Sequence, residues 1–195
     1  NDLDDNIHVL LGDGEGSFEL KGTFKVGLGP GHAVQSFGFG FLGLIFPQLV
    51  WPVQPDFNRD GIQDLIAVNK GSNDISIFIG KGDGTFHKQR RLKTHGNAPS
   101  AIIVGDFDRN GFQDIAVTNQ GTDNASVLLG NGGTSFRLRE KYDVGDDPSS
   151  VAKADFNRDG CEDLAIANKH SDFPQEASNI AILLGNCDGT FQKKT

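Results

Sequence analysis

Short apolar runs, each closed by Gly, Asn or Asp, recur along the chain. Leu65-Ile66-Ala67-Val68, Ile115-Ala116-Val117 and Leu164-Ala165-Ile166-Ala167 each lead toward an asparagine (Asn69, Asn119, Asn168) and then a polar loop. A second apolar run follows in each case: Ile75 to Ile79, Ser126 to Leu129 and Ile180 to Leu184. Gly-rich turns such as Gly82-Asp83-Gly84 and Gly132-Gly133 then introduce a phenylalanine-led segment. Runs of this length, partly β-branched and bounded by turn residues, predict strands joined by hairpins. No stretch sustains a 3.6-residue period with caps, so the chain is expected to be all-β.

The pattern is a repeat. Three nonapeptides superpose without gaps: Asp56 to Asp64 (DFNRDGIQD), Asp106 to Asp114 (DFDRNGFQD) and Asp155 to Asp163 (DFNRDGCED). Their starts lie 50 and then 49 residues apart. A second signature occurs four times, leading from Leu10-Leu11-Gly12 to Phe18, Phe78-Ile79-Gly80 to Phe86, Leu128-Leu129-Gly130 to Phe136 and Leu184-Gly185 to Phe191. About four short strands per repeat of this length is the size of one β-propeller blade. The expected fold is about three and a half four-stranded blades belonging to a larger ring. They divide as a partial blade 1–27 and blades 28–96, 97–146 and 147–195.

One segment breaks the register. Pro99 to Asp106 and Pro148 to Asp155 are each 7 residues apart, but Pro30 to Asp56 are 26 apart. The excess of 19 falls on residues 36–54, which hold the only Trp. This reads as an insertion foreign to the fold, such as untranslated sequence retained in the coding frame. Its apolar part, 37–53, would span about 25 Å as a helix, short of a ~30 Å hydrocarbon core, and Pro47 and Pro52 oppose a helix. Membrane or partner contact through 37–53 ranks below the insertion reading.

The nonapeptides follow D-x-[DN]-x-[DN]-G-x-x-D, which sets side-chain oxygens at positions 1, 3, 5 and 9 of a tight loop. Calcium takes six to eight oxygens, and alternate residues of such a loop can converge on one centre. The candidate side chains are Asp56, Asn58, Asp60 and Asp64; Asp106, Asp108, Asn110 and Asp114; Asp155, Asn157, Asp159 and Asp163. Backbone carbonyls at position 7 would come from Ile62, Phe112 and Cys161. An EF-hand would need Glu at position 12, where this chain has Ala67, Val117 and Ile166 inside the apolar runs. A plain Asp/Asn/Gly turn is the alternative to a metal loop. Three copies with three carboxylates each favour a cation.

These DFNRDG-type loops and LLG-x-G-x-G-x-F elements resemble the FG-GAP/VCBS repeats, the calcium-binding propeller blades also found in integrin alpha subunits and in secreted and lectin-like proteins. The resemblance covers most of the chain outside 36–54. It implies about three Ca²⁺, one in each hairpin between the first two strands of a blade, and a place outside the cell or on its surface. The implied role is non-enzymatic adhesion or recognition of a protein or glycan. The alternatives are a module of a secreted carbohydrate- or lipid-degrading enzyme and a purely structural scaffold. The partners expected are that ligand and either the remaining blades or another copy.

Composition narrows this further. The net charge of −8 and pI near 5.0 argue against a nucleic-acid partner. The loops hold nine carboxylates, so three Ca²⁺ would bring the formal charge from −8 to −2. The five His are scattered, and no Gly-x-Ser-x-Gly elbow occurs, so no catalytic residue is expected. No leader pattern precedes the first repeat. Cys161 and Cys187 both fall in the last repeat, where a disulfide and two isolated thiols are both open. Asn124-Ala125-Ser126 is a glycosylation sequon and, like a disulfide, would point to secretion.

Overall fold

The structure, a computed structural model, describes residues 5–12, 17–28, 30–34, 55–169 and 179–194. The segment 36–54, with its apolar part 37–53, lies outside them. In chain order the strands are β1 (Asn6–Gly12), β2 (Phe18–Lys25), β3 (Pro30–Val34), β4 (Leu65–Asn69), β5 (Asp74–Phe78), β6 (Arg90–Lys93) and β7 (Pro99–Gly105). They continue as β8 (Asp114–Asn119), β9 (Asn124–Gly130), β10 (Phe136–Asp143), β11 (Pro148–Ala154), β12 (Asp163–Asn168), β13 (Asn179–Gly185) and β14 (Phe191–Lys194). A 3-10 turn over Gln120–Thr122 is the only helical element among the described residues. None of these is a helix long and apolar enough to cross a membrane.

The described residues are all-β, as the alternation of short runs and turns predicts. The strands form four antiparallel sheets: the pair β1–β2, then three four-stranded meanders, β3–β6, β7–β10 and β11–β14. The sheets repeat in detail. Each meander opens on a proline, and the first pairing slips by a residue just after Pro30, Pro99 and Pro148. Proline, with no N–H to donate, is tolerated at the first residue of a strand. The pair β1–β2 carries the same bulge as β9–β10, after Val9 as after Val127. It therefore corresponds to the last two strands of a meander.

Successive sheets stack through their faces, and their first strands, β3, β7 and β11, adjoin in turn. One core cluster joins the β3–β6 sheet to the next: Ile75 and Ile77 on one side meet Ile102, Val104 and Leu128 on the other. A second joins Val127 and Leu129 to Leu164, Ile166 and Leu183. The middle sheet is covered on both faces, and every residue of β8 and β9 is buried. Strands buried on both sides read as continuous apolar runs, which explains why strict alternation is weak in this sequence.

The asparagine after each first apolar run serves as a bracket. Asn119 Nδ2 donates to Asn124 Oδ1 and Ser126 Oγ, both at 2.9 Å. Asn69 does the same with Asp74 and Ser76, and Asn168 with Asn179 and the Val144 carbonyl. The segment leading into each sheet passes directly over that sheet's own asparagine amide. A Cβ at Gly96 would lie 2.3 Å from Asn119 Cγ, and one at Gly27 2.7 Å from Asn69 Cγ. Only a residue without a side chain fits there.

Two local signals resolve differently. Cys161 and Cys187 are bonded, with Cα atoms 5.1 Å apart. The Asn124 sequon lies inside the fold: Asn124 is 8% exposed, Ser126 is 0% exposed, and Asn124 Nδ2 donates to the Thr122 carbonyl. A glycan has no room at that position, so the sequon drops out as a sign of secretion. The motif has the right letters on a buried strand.

Replacing Gly96 with Ala should cost about 3 kcal/mol, combining overpacking with displacement of the Asn119 hydrogen bonds. Urea denaturation measures it, and a loss below about 1 kcal/mol would show that the crossing can relax.

Candidate metal centre

Each nonapeptide forms the hairpin between the first two strands of a meander: Asp56–Asp64 leads into β4, Asp106–Asp114 lies between β7 and β8, and Asp155–Asp163 lies between β11 and β12. The main chain follows one path in all three. Position 4 is left-handed, at φ 58° for Arg59, 56° for Arg109 and 63° for Arg158. Position 6 is the glycine, at φ 76°, 83° and 88°. The position 12 residues, Ala67, Val117 and Ile166, are at most 1% exposed within β4, β8 and β12, so the loop closes at position 9.

Position 9 holds the loop to the rest of its sheet. Asp64 is fully buried; its Oδ2 accepts the Phe57 N–H at 2.8 Å and its Oδ1 the Gly80 N–H at 2.9 Å. Asp114 does the same with Phe107 and Gly130, and Asp163 with Phe156 and Gly185. One carboxylate thus fastens the start of the acidic loop to the hairpin between the third and fourth strands. Burial raises the pKa of Asp64 against the pull of these two amides, with Asp56 and Asp60 adding repulsion. For Asp114 the same burial, helped by Asp108, pushes the pKa up to about 6.

The residues at positions 1, 3 and 5 curl around their own main chain. Asp56 accepts from the Asp60 and Gly61 amides, and Asp60 Oδ1 accepts from Ile62 N at 2.7 Å. Asn58 Nδ2 donates to Asp60, as Asn157 does to Asp159. In the last loop the Cys161 amide and Asn157 hold the Asp159 carboxyl below its usual range. In the middle loop the order of Asp and Asn is reversed, and Asn110 Nδ2 donates to Asp108. Every loop therefore keeps three carboxylates and one amide.

The middle loop brings its carboxylates closest. Ligand oxygens of Asp106, Asp108 and Asp114 all lie within 4.8 Å of one another. Asp106 Oδ1 is buried and accepts no hydrogen bond, although Oδ2 takes the Gly111 N–H at 2.9 Å. A buried carboxylate oxygen without a partner, beside two more carboxylates, is a costly arrangement that a bound cation offsets. The donors are hard oxygens, so the cluster suits a hard cation.

Position 7 packs its side chain on the neighbouring hairpin. Ile62 lies against Gly82, where a Cβ would sit 3.3 Å from its Cδ1, and Phe112 lies against Gly132 at 2.9 Å. In the third loop the same two places are Cys161 and Cys187. The disulfide is thus a covalent form of a contact the other sheets make by packing, and Cys187 keeps the left-handed φ, 61°, of Gly82 and Gly132. A disulfide fits an oxidising environment.

Two further positions, which the metal pattern ignores, lace one loop to the next. Arg59 stacks on the Phe112 ring at 4.4 Å, and Arg109 Nη2 donates to the Gly160 carbonyl. In the reverse direction Gln113 Oε1 accepts the Asp56 N–H at 2.7 Å, and Glu162 Oε2 accepts the Asp106 N–H at 3.2 Å. Their signal in the sequence is the repetition of Arg at position 4 and of Gln, Gln and Glu at position 8.

Asp64→Ala, measured in chelator, should lose about 2–5 kcal/mol, because two buried N–H groups are left without an acceptor. Asp64→Asn keeps one acceptor oxygen and should lose about half as much; equal losses in urea titrations would contradict the two-amide brace.

The model of the FG-GAP-like repeat matches this chain twice, over residues 56–117 and 106–166. Among solved structures, the crystal structure of a functionally unknown protein from Desulfotomaculum acetoxidans DSM 771 superposes with a TM-score of 0.62 at 13% identity. The match covers 91% of this chain and 45% of that one, so this chain spans less than half the length of its structural relative. Comparison with curated proteins gives no match. The likeness to the solved structure shows a shared fold, and the two family matches run through all three acidic loops over more than half of the chain: it belongs to the FG-GAP-like repeat family.

Proposed function

We propose that the chain is a segment of a calcium-stabilised β-propeller, non-enzymatic, working outside the cell in adhesion or in recognition of a protein or glycan. The observation that carries this reading is the unpartnered, buried Asp106 Oδ1 beside Asp108 and Asp114. Stacked four-stranded meanders with adjoining first strands support the propeller, and the Cys161–Cys187 bond supports the extracellular setting.

Asp106, Asp108, Asn110 and Asp114 would hold the ion in the middle loop, with the Phe112 carbonyl available at position 7. Asp56, Asn58, Asp60 and Asp64 with Ile62, and Asp155, Asn157, Asp159 and Asp163 with Cys161, would do so in the others. Calcium accommodates a large and irregular oxygen set, whereas magnesium demands an octahedron and holds its water. Zinc prefers nitrogen and sulfur, and the one sulfur in these loops is already in a disulfide. When bound, the ion neutralises the crowded carboxylates. The loop residues themselves orient the hairpin, while the arginine and position 8 contacts pass that rigidity to the next sheet.

Millimolar calcium at pH 7.5 should raise the melting temperature by about 5 °C or more over chelator. The folded pKa of Asp114, about 6, lies above its ordinary 3.8. Without a cation, its ionisation therefore removes stability as pH rises through that window. The proton also competes with the cation, so the calcium-induced rise should shrink when pH falls from 7.5 to 5. Coincident melting curves in calcium and chelator at pH 7.5 would refute the metal reading. Recognition is tested separately by protein- and glycan-array binding in calcium, where a blank array would leave the enzyme-module and scaffold readings.

A further inference from the structure

In the first two acidic loops the side chain at position 7 is large and packs on a glycine of the hairpin between the third and fourth strands. A Cβ at Gly82 would lie 3.3 Å from Ile62 Cδ1, and one at Gly132 2.9 Å from Phe112 Cε1. The Arg59 guanidinium covers the Phe112 ring at 4.4 Å. None of these contacts contains sulfur, so thiol chemistry leaves them unchanged. The third loop is built from smaller parts. Cys161 carries a single sulfur beyond its Cβ, and its counterpart is Cys187 in place of a glycine. Cys187 sits at φ 61°, a left-handed conformation that a residue with a side chain adopts only at a cost. Here the covalent bond replaces packing as the tie between loop and hairpin.

The tie ends on a residue that serves the loop twice more. The Cys161 N–H donates to Asp159 Oδ1 at 2.7 Å, and the Cys161 carbonyl is the backbone donor of the candidate cation site. The hairpin at the other end is fixed independently. The Gly185 N–H donates to Asp163 Oδ1 at 2.8 Å, the Asn186 N–H to the Thr190 carbonyl at 2.9 Å, and the Gly189 N–H to the Phe107 carbonyl of the middle loop at 3.0 Å. Opening the bond therefore leaves the hairpin in place and releases position 7 of the loop. Cys161 is 9% exposed, whereas Cys187 is half-buried between exposed Asn186 and Asp188, so Cys187 is the more accessible end of the bond.

We propose that the Cys161–Cys187 bond is a redox switch on the third acidic loop, which holds its cation tightly when the bond is closed and weakly when a dithiol has opened it. Opening is thiol–disulfide exchange. One sulfur of the dithiol attacks Cys187 Sγ and displaces Cys161, and its second sulfur then displaces Cys187. The protein S–S bond takes up two electrons and two protons to give two thiols, while the dithiol is oxidised and closes to its own disulfide. A small disulfide runs the exchange in reverse. The switch rests on the calcium reading and adds regulation to one of its three loops. The loops 56–64 and 106–114 hold no sulfur, so their binding is independent of the exchange.

The position 6 glycines report each loop separately, because the N–H groups of Gly61, Gly111 and Gly160 donate to Asp56, Asp106 and Asp155. Calcium titrations of the full chain, followed at these three amides by proton–nitrogen correlation spectra, test the switch with and without excess dithiothreitol. Without it, each of the three amides should shift. With it, Gly61 and Gly111 should titrate as before, while Gly160 should need about ten- to hundredfold more calcium, the usual effect of losing a group that orients a ligand. Cys161→Ser with Cys187→Ser should behave like the reduced chain under both conditions. Cys161→Ile with Cys187→Gly rebuilds the Ile62–Gly82 contact and should restore the Gly160 titration with or without dithiol. Equal Gly160 titrations in oxidised and reduced wild type would overturn the switch and leave calcium binding intact. Loss of all three shifts in dithiol would overturn it too, since the effect would then belong to the whole fold. So would a Gly160 titration that the Ile–Gly pair does not restore. A chain that shows no calcium shift even when oxidised would remove the calcium reading, and the switch with it.

Discussion

A buried aspartate at the ninth loop position organises each four-stranded sheet of this protein. Asp64, Asp114 and Asp163 each spend both carboxylate oxygens on backbone N–H groups, one in the same acidic loop and one in the hairpin between the third and fourth strands. Burying a carboxylate is expensive, and the raised pKa values of Asp64 and Asp114 record that expense. The return is positional: the acidic loop is held against the turn between the third and fourth strands. Everything functional in the loop depends on this fixed base. In the middle loop Asp106 and Asp108 converge on Asp114 itself, their ligand oxygens within 4.8 Å of one another.

The second layer of organisation runs between sheets. Arg59 reaches forward to Phe112 and Arg109 to Gly160, while Gln113 and Glu162 reach back to the first amide of the preceding loop. Beneath them, phenylalanines pack edge to face across each junction. Polar lacing at the rim and apolar packing below couple each acidic loop to the edge of its neighbour. The Cys161–Cys187 bond performs for the last sheet what Ile62 on Gly82 and Phe112 on Gly132 perform by packing.

Much of this was legible in the sequence because the chain contains its own alignment. Three copies of one nonapeptide separate the invariant positions from the variable ones, and the strands follow from the apolar runs and their turn residues. Position 12 inside an apolar run correctly excludes an EF-hand ending. The double duty of position 9 was not legible, because a spacing rule cannot tell a metal ligand from a brace to a backbone amide 16 residues away. Nor were the arginine links, whose partners lie about 50 residues on. The Asn124 sequon misled for a related reason: a three-residue motif carries no information about burial, and only the strand pairing of β9 reveals it.

The central claim is that these loops gather carboxylates in order to hold a hard cation. Equilibrium dialysis of the intact chain against calcium at pH 7.5, followed by metal analysis, tests it most directly. The account predicts saturation at three calcium ions per chain, one for each acidic loop. Saturation at none would contradict it outright, and saturation at one would confine the metal role to Asp106, Asp108 and Asp114.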